Sequence, residues 1–229
     1  MFIAFSGVDC AGKSTQIKLL ADTFRLAGHP VKTVWHRPGY SAALDGARIW
    51  ARKLLKRGRN ANVGKVLPNA TDTAARAAAF SRPGVTEAWI SLALADTAMI
   101  YGGMIRWWRA RGNVVISDRY LLDAALDLSF RFPHRARLTD KGFSMLSHGC
   151  PHPDVHLVLV LPYQDMLERM AIKKEPFPDP PSVRDARYAA YVELSQRPGL
   201  TCIDASGTIA DVHSRIVVAI EMQMGSFSC

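Results

Sequence analysis

The chain has 229 residues, of which 48% are hydrophobic and 21% charged, a length and balance that suit one globular domain with a full core and exclude a disordered or fibrous protein. Its 29 Lys and Arg exceed its 20 Asp and Glu, giving a net charge of +9. Four scattered cysteines, Cys10, Cys150, Cys202 and Cys229, form no C-x-x-C pair and read as reduced thiols.

The first predicted elements carry the strongest signal. Phe2 to Phe5 is a short apolar run, and it leads into Gly7-Val-Asp-Cys-Ala-Gly-Lys13-Ser14-Thr15, a G-x-x-x-x-G-K-S pattern. An amphipathic helix is predicted from Lys13 to Ala27. A phosphate-binding loop needs this strand-turn-helix setting, because glycines let successive N–H groups turn toward an anion while the helix N-terminus adds its positive dipole end. Within the loop, Gly7, Asp9, Cys10, Ala11, Gly12, Lys13, Ser14 and Thr15 are candidate nucleotide-binding residues. Lys13 is expected to reach the β- and γ-phosphates, and Ser14 to present its hydroxyl to Mg²⁺.

Further along, strands are predicted at Val31 to Trp35, Asn113 to Ser117, Val155 to Leu161 and Leu200 to Ile203. Helices are predicted at Leu44 to Lys56, Glu87 to Arg111, Leu121 to Phe130, Gln164 to Lys174, Val183 to Ser195 and Ile209 to Met224. Alternating strands and helices give an α/β three-layer sandwich with a five-stranded parallel sheet. Residues 1–229 form a single domain on this reading. Two segments interrupt the rhythm: a basic insertion at 58–84, and a proline-rich lid at about 173–182 that includes Lys173 and Lys174.

Charge is uneven. Between Arg37 and Gly84 stand ten basic residues and only Asp45 and Asp72 as acids, so this segment supplies most of the positive excess. Such a surface serves a polyphosphate, a nucleic acid or an acidic partner equally well. The apolar stretch Ala88 to Ile105 has the length of a membrane span, but Asp96 near its middle and the arginines flanking Trp107 and Trp108 favour a buried core helix. Without a charged leader or cleavage site, the expected location is cytoplasmic. His148, Cys150, His152 and His156 crowd together at spacings that match no standard structural zinc site.

The third strand runs into Ser117-Asp118-Arg119-Tyr120. An aspartate at the carboxyl end of a buried strand faces the crevice where open α/β sheets bind ligands, within reach of a metal held by Ser14, and Arg119 beside it is placed to span donor and acceptor phosphates.

With these motifs the chain resembles the thymidylate kinase family of nucleoside monophosphate kinases. The matching pieces occur in family order: the loop from Gly7 to Gln16, Arg37-Pro-Gly39, Asp118-Arg-Tyr120, Pro153-Asp154, Leu167-Glu-Arg169 and Ile203-Asp-Ala-Ser206. The resemblance implies transfer of the γ-phosphoryl group of ATP, with Mg²⁺, to a nucleoside monophosphate, dTMP first of all, and a homodimeric assembly. It implies Lys13, Asp118 and Arg119 as catalytic groups, with lid cations among Arg169, Lys173, Lys174, Arg184 and Arg187. Asp9 is implied to hold a deoxyribose hydroxyl, Arg48 to lie at the acceptor phosphate, Arg37, Ala93, Thr97, Arg119 and Asp123 to be further substrate-binding positions, and Arg169 and Ala205 to lie on the ATP side.

The acceptor pocket departs from the family pattern. Ala93 and Thr97 stand where an aromatic that stacks on thymine and an arginine are usual. Arg37 stands where an acid is usual, and Asp123 replaces a frequent serine. Two other readings therefore remain open: the same donor site serving a modified nucleotide or phosphorylated metabolite, and a non-catalytic nucleotide-binding module that grips nucleic acid or protein through its basic segment.

Overall fold

The computed structural model describes residues 1–39, 84–173 and 180–224. Arg48, Tyr40, the predicted helix at 44–56, nearly all of the 58–84 insertion and most of the 173–182 lid lie outside the described residues.

Five parallel strands form one sheet in the order β2-β3-β1-β4-β5. They are β1 (Phe2–Gly7), β2 (Val31–Trp35), β3 (Val114–Asp118), β4 (Val155–Val160) and β5 (Thr201–Asp204). Every residue of β1 is buried, as a central strand covered on both faces requires, whereas β2 at the sheet edge is mostly exposed. Around the sheet lie α1 (Lys13–Leu26), α2 (Val85–Ala110), α3 (Leu121–Arg131), α4 (Ala136–Gly149), α5 (Tyr163–Lys173), α6 (Pro181–Ser195) and α7 (Ile209–Met224). The three-layer parallel sandwich expected from the sequence is thus the observed fold.

The two-residue period of β1 divides the core. Ile3 and Phe5 pack with Leu20 and Phe24 of α1, Tyr191 and Leu194 of α6, and Ile216 and Ile220 of α7. Phe2 and Ala4 face the other way, onto Tyr101 and Ile105 of α2. By length and composition α2 is apolar enough to cross a membrane. Here it buries Ile90, Ala93, Tyr101 and Ile105 in the core and carries the buried carboxylate of Asp96.

Two local features differ from the sequence expectation. No helix is expected between residues 131 and 154, yet α4 occupies much of that span. Its Gly142, which reads as a helix breaker, is where α4 meets α2: a Cβ there would fall 2.3 Å from Leu94 Cδ1. The second is a π-helical stretch inside α2, Ala98–Met104. It changes the helical phase and brings Tyr101 under the ends of β2 and β3.

Candidate active site

β1 has β3 on one side and β4 on the other, so the loops leaving β1 and β3 open side by side into a crevice at the carboxyl edge of the sheet. Phe5 is in register with Asp118, and Asp118 also with Trp35. A cleft of about 670 Å³ fills this crevice. Its walls carry seven cations (Lys13, Arg37, Arg119, Arg169, Lys173, Arg184 and Arg187) against four carboxylates (Asp9, Asp118, Asp123 and Asp127). Such a lining favours a polyanionic ligand.

The phosphate loop has the geometry its sequence dictates. Gly7 adopts φ 135°, and a Cβ at that position would lie 2.1 Å from the carbonyl oxygen of Leu159, so the strand can pass β4 only as glycine. Gly12 caps α1 at φ 80°, and Cys10 takes a left-handed φ of 58°. Lys13 is buried, its ammonium donating to the carbonyls of Gly7 at 2.8 Å and Val8 at 2.7 Å. Burial, aided by the Arg119 cation, lowers its pKa to about 8 despite the opposing pull of Asp9, Asp123 and Asp118. Ser14 and Thr15 are exposed to the cleft.

Ser14 Oγ donates to Asp118 Oδ2 at 2.9 Å, which brings together the two residues expected at a metal. Arg119 follows with φ 75°. Its Nη2 donates to Asp9 Oδ1 at 2.9 Å and its Nη1 to the Tyr191 hydroxyl at 3.1 Å. Burial opposes the charge on both partners, yet Asp9 is held below the usual carboxylate range by the Arg119 and Lys13 cations, and Arg119 above the usual guanidinium range by Tyr191 and Asp123 ahead of Asp9. Arg169, which lines the cleft, donates from Nη2 to the carbonyl of Ala205 at 3.2 Å, joining the two residues expected on the ATP side.

Asp123 lines the cleft floor but directs its carboxylate inward. Oδ2 accepts from Ser6 Oγ at 2.5 Å and from the Tyr120 amide at 3.0 Å, and Oδ1 accepts from Tyr191 Oη at 2.7 Å. Because Ser6 spends its proton on Asp123, His156 Nε2, 2.8 Å away, is the donor to Ser6. Asp123 is therefore engaged by protein donors, in a setting that orders the site from beneath.

Ala93 and Thr97 are fully buried and are not among the described residues that line the cleft, although each touches one that does, Ala124 and His36 respectively. Thr97 Oγ1 donates to the Ala93 carbonyl at 2.7 Å and lies 3.3 Å from His36 Nε2, while Ala93 packs with Ile90, Ala124 and Leu128. Arg37 does reach the cleft, where it meets Asp127 at 3.4 Å, and Arg187 reaches the same carboxylate at 3.5 Å. Asp127 and Trp35, the latter 63% exposed, also line the cleft and were missed in the sequence. Asp127 lies four residues after Asp123 and so on the same helical face, a spacing that could have pointed to it.

The histidine environments predict a pH response. Burial lowers the pKa of His156 below 6.5, and burial does the same to His36 and His213. A histidine with a folded value below its unfolded one supplies stability that is present above the unfolded value and lost as acid forces the proton on. Thermal stability is therefore expected to fall from pH 7 to pH 5. His156→Gln, whose side-chain amide can still donate to Ser6, is expected to reduce that slope; an unchanged slope in melting curves would refute the assignment to His156.

No protein-family model matches the chain. Curated relatives do. A probable thymidylate kinase of Thermococcus onnurineus is 26% identical over 230 residues, covering 98% of each chain, and one of Thermococcus kodakarensis is 27% identical over 98% of this chain and 99% of its own. A thymidylate kinase of Desulfovibrio desulfuricans is 32% identical over 174 residues, covering 74% of this chain and 65% of its own. Over nearly its whole length the chain is similar to thymidylate kinases. Lys13, Ser14, Asp118 and Arg119 are grouped around one cleft, whereas Ala93 and Thr97 are buried behind it.

Proposed function

We propose that this protein is a cytoplasmic kinase that transfers the γ-phosphoryl group of ATP to a nucleoside monophosphate, with dTMP as the leading acceptor. The observation that carries this reading is the Ser14–Asp118 pair, which joins the phosphate loop to the end of the neighbouring strand beside Arg119. Phosphoryl transfer asks a protein mainly to align two substrates and neutralise charge on the moving group. The Lys13 ammonium, released from the carbonyls of Gly7 and Val8, would bind the terminal phosphates of ATP. Arg119, braced by Asp9, would extend its guanidinium between donor and acceptor.

Ser14 and Asp118 offer the hard oxygen donors that Mg²⁺ prefers, and that ion commonly draws its remaining ligands from phosphates and water. It would supply charge neutralisation on the phosphate oxygens. Arg169 and the backbone at Ala205 would flank the ATP base. Arg37 and Arg187, held near each other by Asp127, are placed to receive the acceptor phosphate.

A second acceptor class is favoured by one observation: Ala93 and Thr97 lie in the core, so the described part of the cleft has Trp35 as its aromatic wall and lacks the stacking residue and arginine usual for thymine. Coupled ADP release with ATP and Mg²⁺, offering dTMP, dUMP, dCMP, dAMP and dGMP in turn with Lys13→Ala as the blank, tests both readings. Lys13-dependent turnover of dTMP above the others is the expected result. Turnover of another nucleotide with dTMP inert would move the acceptor away from thymidylate, and silence with every nucleotide would overturn the first reading in favour of an acceptor outside this set.

A further inference from the structure

Arg119 is held at both ends. Its backbone sits in the left-handed region at φ 75°, where a side chain with a Cβ is strained, and among the described residues only Cys10 shares this condition outside glycine. The amide of Arg119 donates to the carbonyl of Phe5 at 2.8 Å. The carbonyl of Arg119 accepts from Ser117 Oγ and from the hydroxyl of Tyr101 at 3.2 Å. Tyr101 is fully buried and also lies 3.4 Å from the carbonyl of His36, so one hydroxyl joins the ends of β2 and β3.

The guanidinium is fixed as firmly. Nη1 donates to the hydroxyl of Tyr191, which passes its own proton to Asp123 Oδ1 at 2.7 Å; Nη2 is taken by Asp9. Tyr191, like Tyr101, is fully buried. A charge that stabilises a transition state contributes most when it is aimed before the substrate arrives.

We propose that Tyr101 and Tyr191 are positioning residues that clamp Arg119, one by its carbonyl and the other by its guanidinium, so that this cation enters the reaction already aimed. The inference rests on the kinase reading for its kinetic consequence, but the clamp itself can be measured without turnover. The π-helical stretch of α2 acquires a role on this account, since it carries Tyr101 to the sheet edge.

Tyr191→Phe and Tyr101→Phe each delete one hydroxyl and keep the ring in its packing. Tyr191→Phe is expected to lower kcat by about tenfold while leaving KM for ATP within about twofold, because positioning is lost and ground-state binding is not. Tyr101→Phe is expected to show the same split to a smaller degree. The independent readout is the Nε–Hε nuclear magnetic resonance signal of Arg119, assigned by its loss in Arg119→Lys. It should report an ordered side chain in the wild type and a mobile one in Tyr191→Phe.

A kcat within twofold of the wild type in both variants, or an Arg119 signal equally ordered in all three proteins, would overturn the clamp. If the wild-type protein phosphorylates no nucleoside monophosphate, the kinase reading fails and the resonance comparison still decides the clamp. The two tyrosines act from different elements, so a variant that fails to fold in a melting experiment leaves the other to give the answer.

Discussion

Replacing Lys13 with alanine is expected to lower kcat/KM for ATP-dependent transfer by about a thousandfold, the upper range for removing one preorganised charge from a transition state. The argument starts from the place of the ammonium. It is buried under the phosphate loop, bonded to the carbonyls of Gly7 and Val8, and carried by the first residue of α1 at the wall of the cleft. On the proposed kinase reading, those two bonds hold it where a phosphate oxygen would replace the carbonyls. Alanine leaves the carbonyls at the cleft, where water can satisfy them, so the fold should survive and the melting temperature should move little. Coupled ADP release together with a melting curve checks both halves. A variant within tenfold of wild-type kcat/KM would show that Lys13 is a structural lysine and that another group carries the charge. Lys13→Arg is not expected to rescue, because the planar, forked guanidinium cannot fit a pocket shaped around a compact ammonium.

The largest effect on stability is expected at Gly7. A Cβ there would sit 2.1 Å from the carbonyl oxygen, 2.7 Å from the amide nitrogen and 2.9 Å from the carbonyl carbon of Leu159, and the backbone angle of 135° is one that a side chain rarely adopts. Every clashing atom is backbone of β4, and Gly7 is in register with Leu159, so relief requires parting two paired strands at the centre of the sheet. Gly7→Ala should therefore cost at least about 4 kcal/mol, at the extreme end of single substitutions, and lower Tm by roughly 10 °C or more if the protein folds at all. Gly12→Ala is the internal comparison. Its φ of 80° brings strain, but a Cβ there meets nothing within 4 Å, so the expected loss is only about 1–2 kcal/mol. Equal melting temperatures for the two variants would show that conformation, and not close approach, governs this loop.

The parts of the protein that were legible in the sequence are those whose chemistry is local. The phosphate loop declares itself because glycines, lysine and serine must occupy fixed offsets between a strand and a helix. Asp118 was legible for a related reason, its place at the end of an apolar run. Helix α4 was hidden because Gly142 looks like a breaker until Leu94 of another helix is seen against it. The π-helical phase in α2 was hidden because apolar periodicity over a long stretch reads as one regular helix. Alignment to the family put Ala93 and Thr97 at a base pocket, whereas packing places both in the core, where Thr97 bonds back to its own helix. Asp123 looked like a ligand because it stands where the family often has a serine after Asp-Arg-Tyr, and only the folded chain shows its carboxylate turned toward Ser6, Tyr120 and Tyr191.

The strand order has a consequence for how the protein acquires its activity. Because β1 lies between β3 and β4, the strand that feeds the phosphate loop takes its side-by-side partners from far along the chain: Ser6 meets Asp123 across 117 residues and His156 across 150. Contacts of such long range demand that large loops close before any stabilisation is returned, which makes their formation slow. The loop's sequence is local, but its shape is a product of the finished sheet. Recovery of nucleotide binding during refolding should thus trail the recovery of helical signal, and the ability to hold a phosphate becomes a clock for the last contacts of folding.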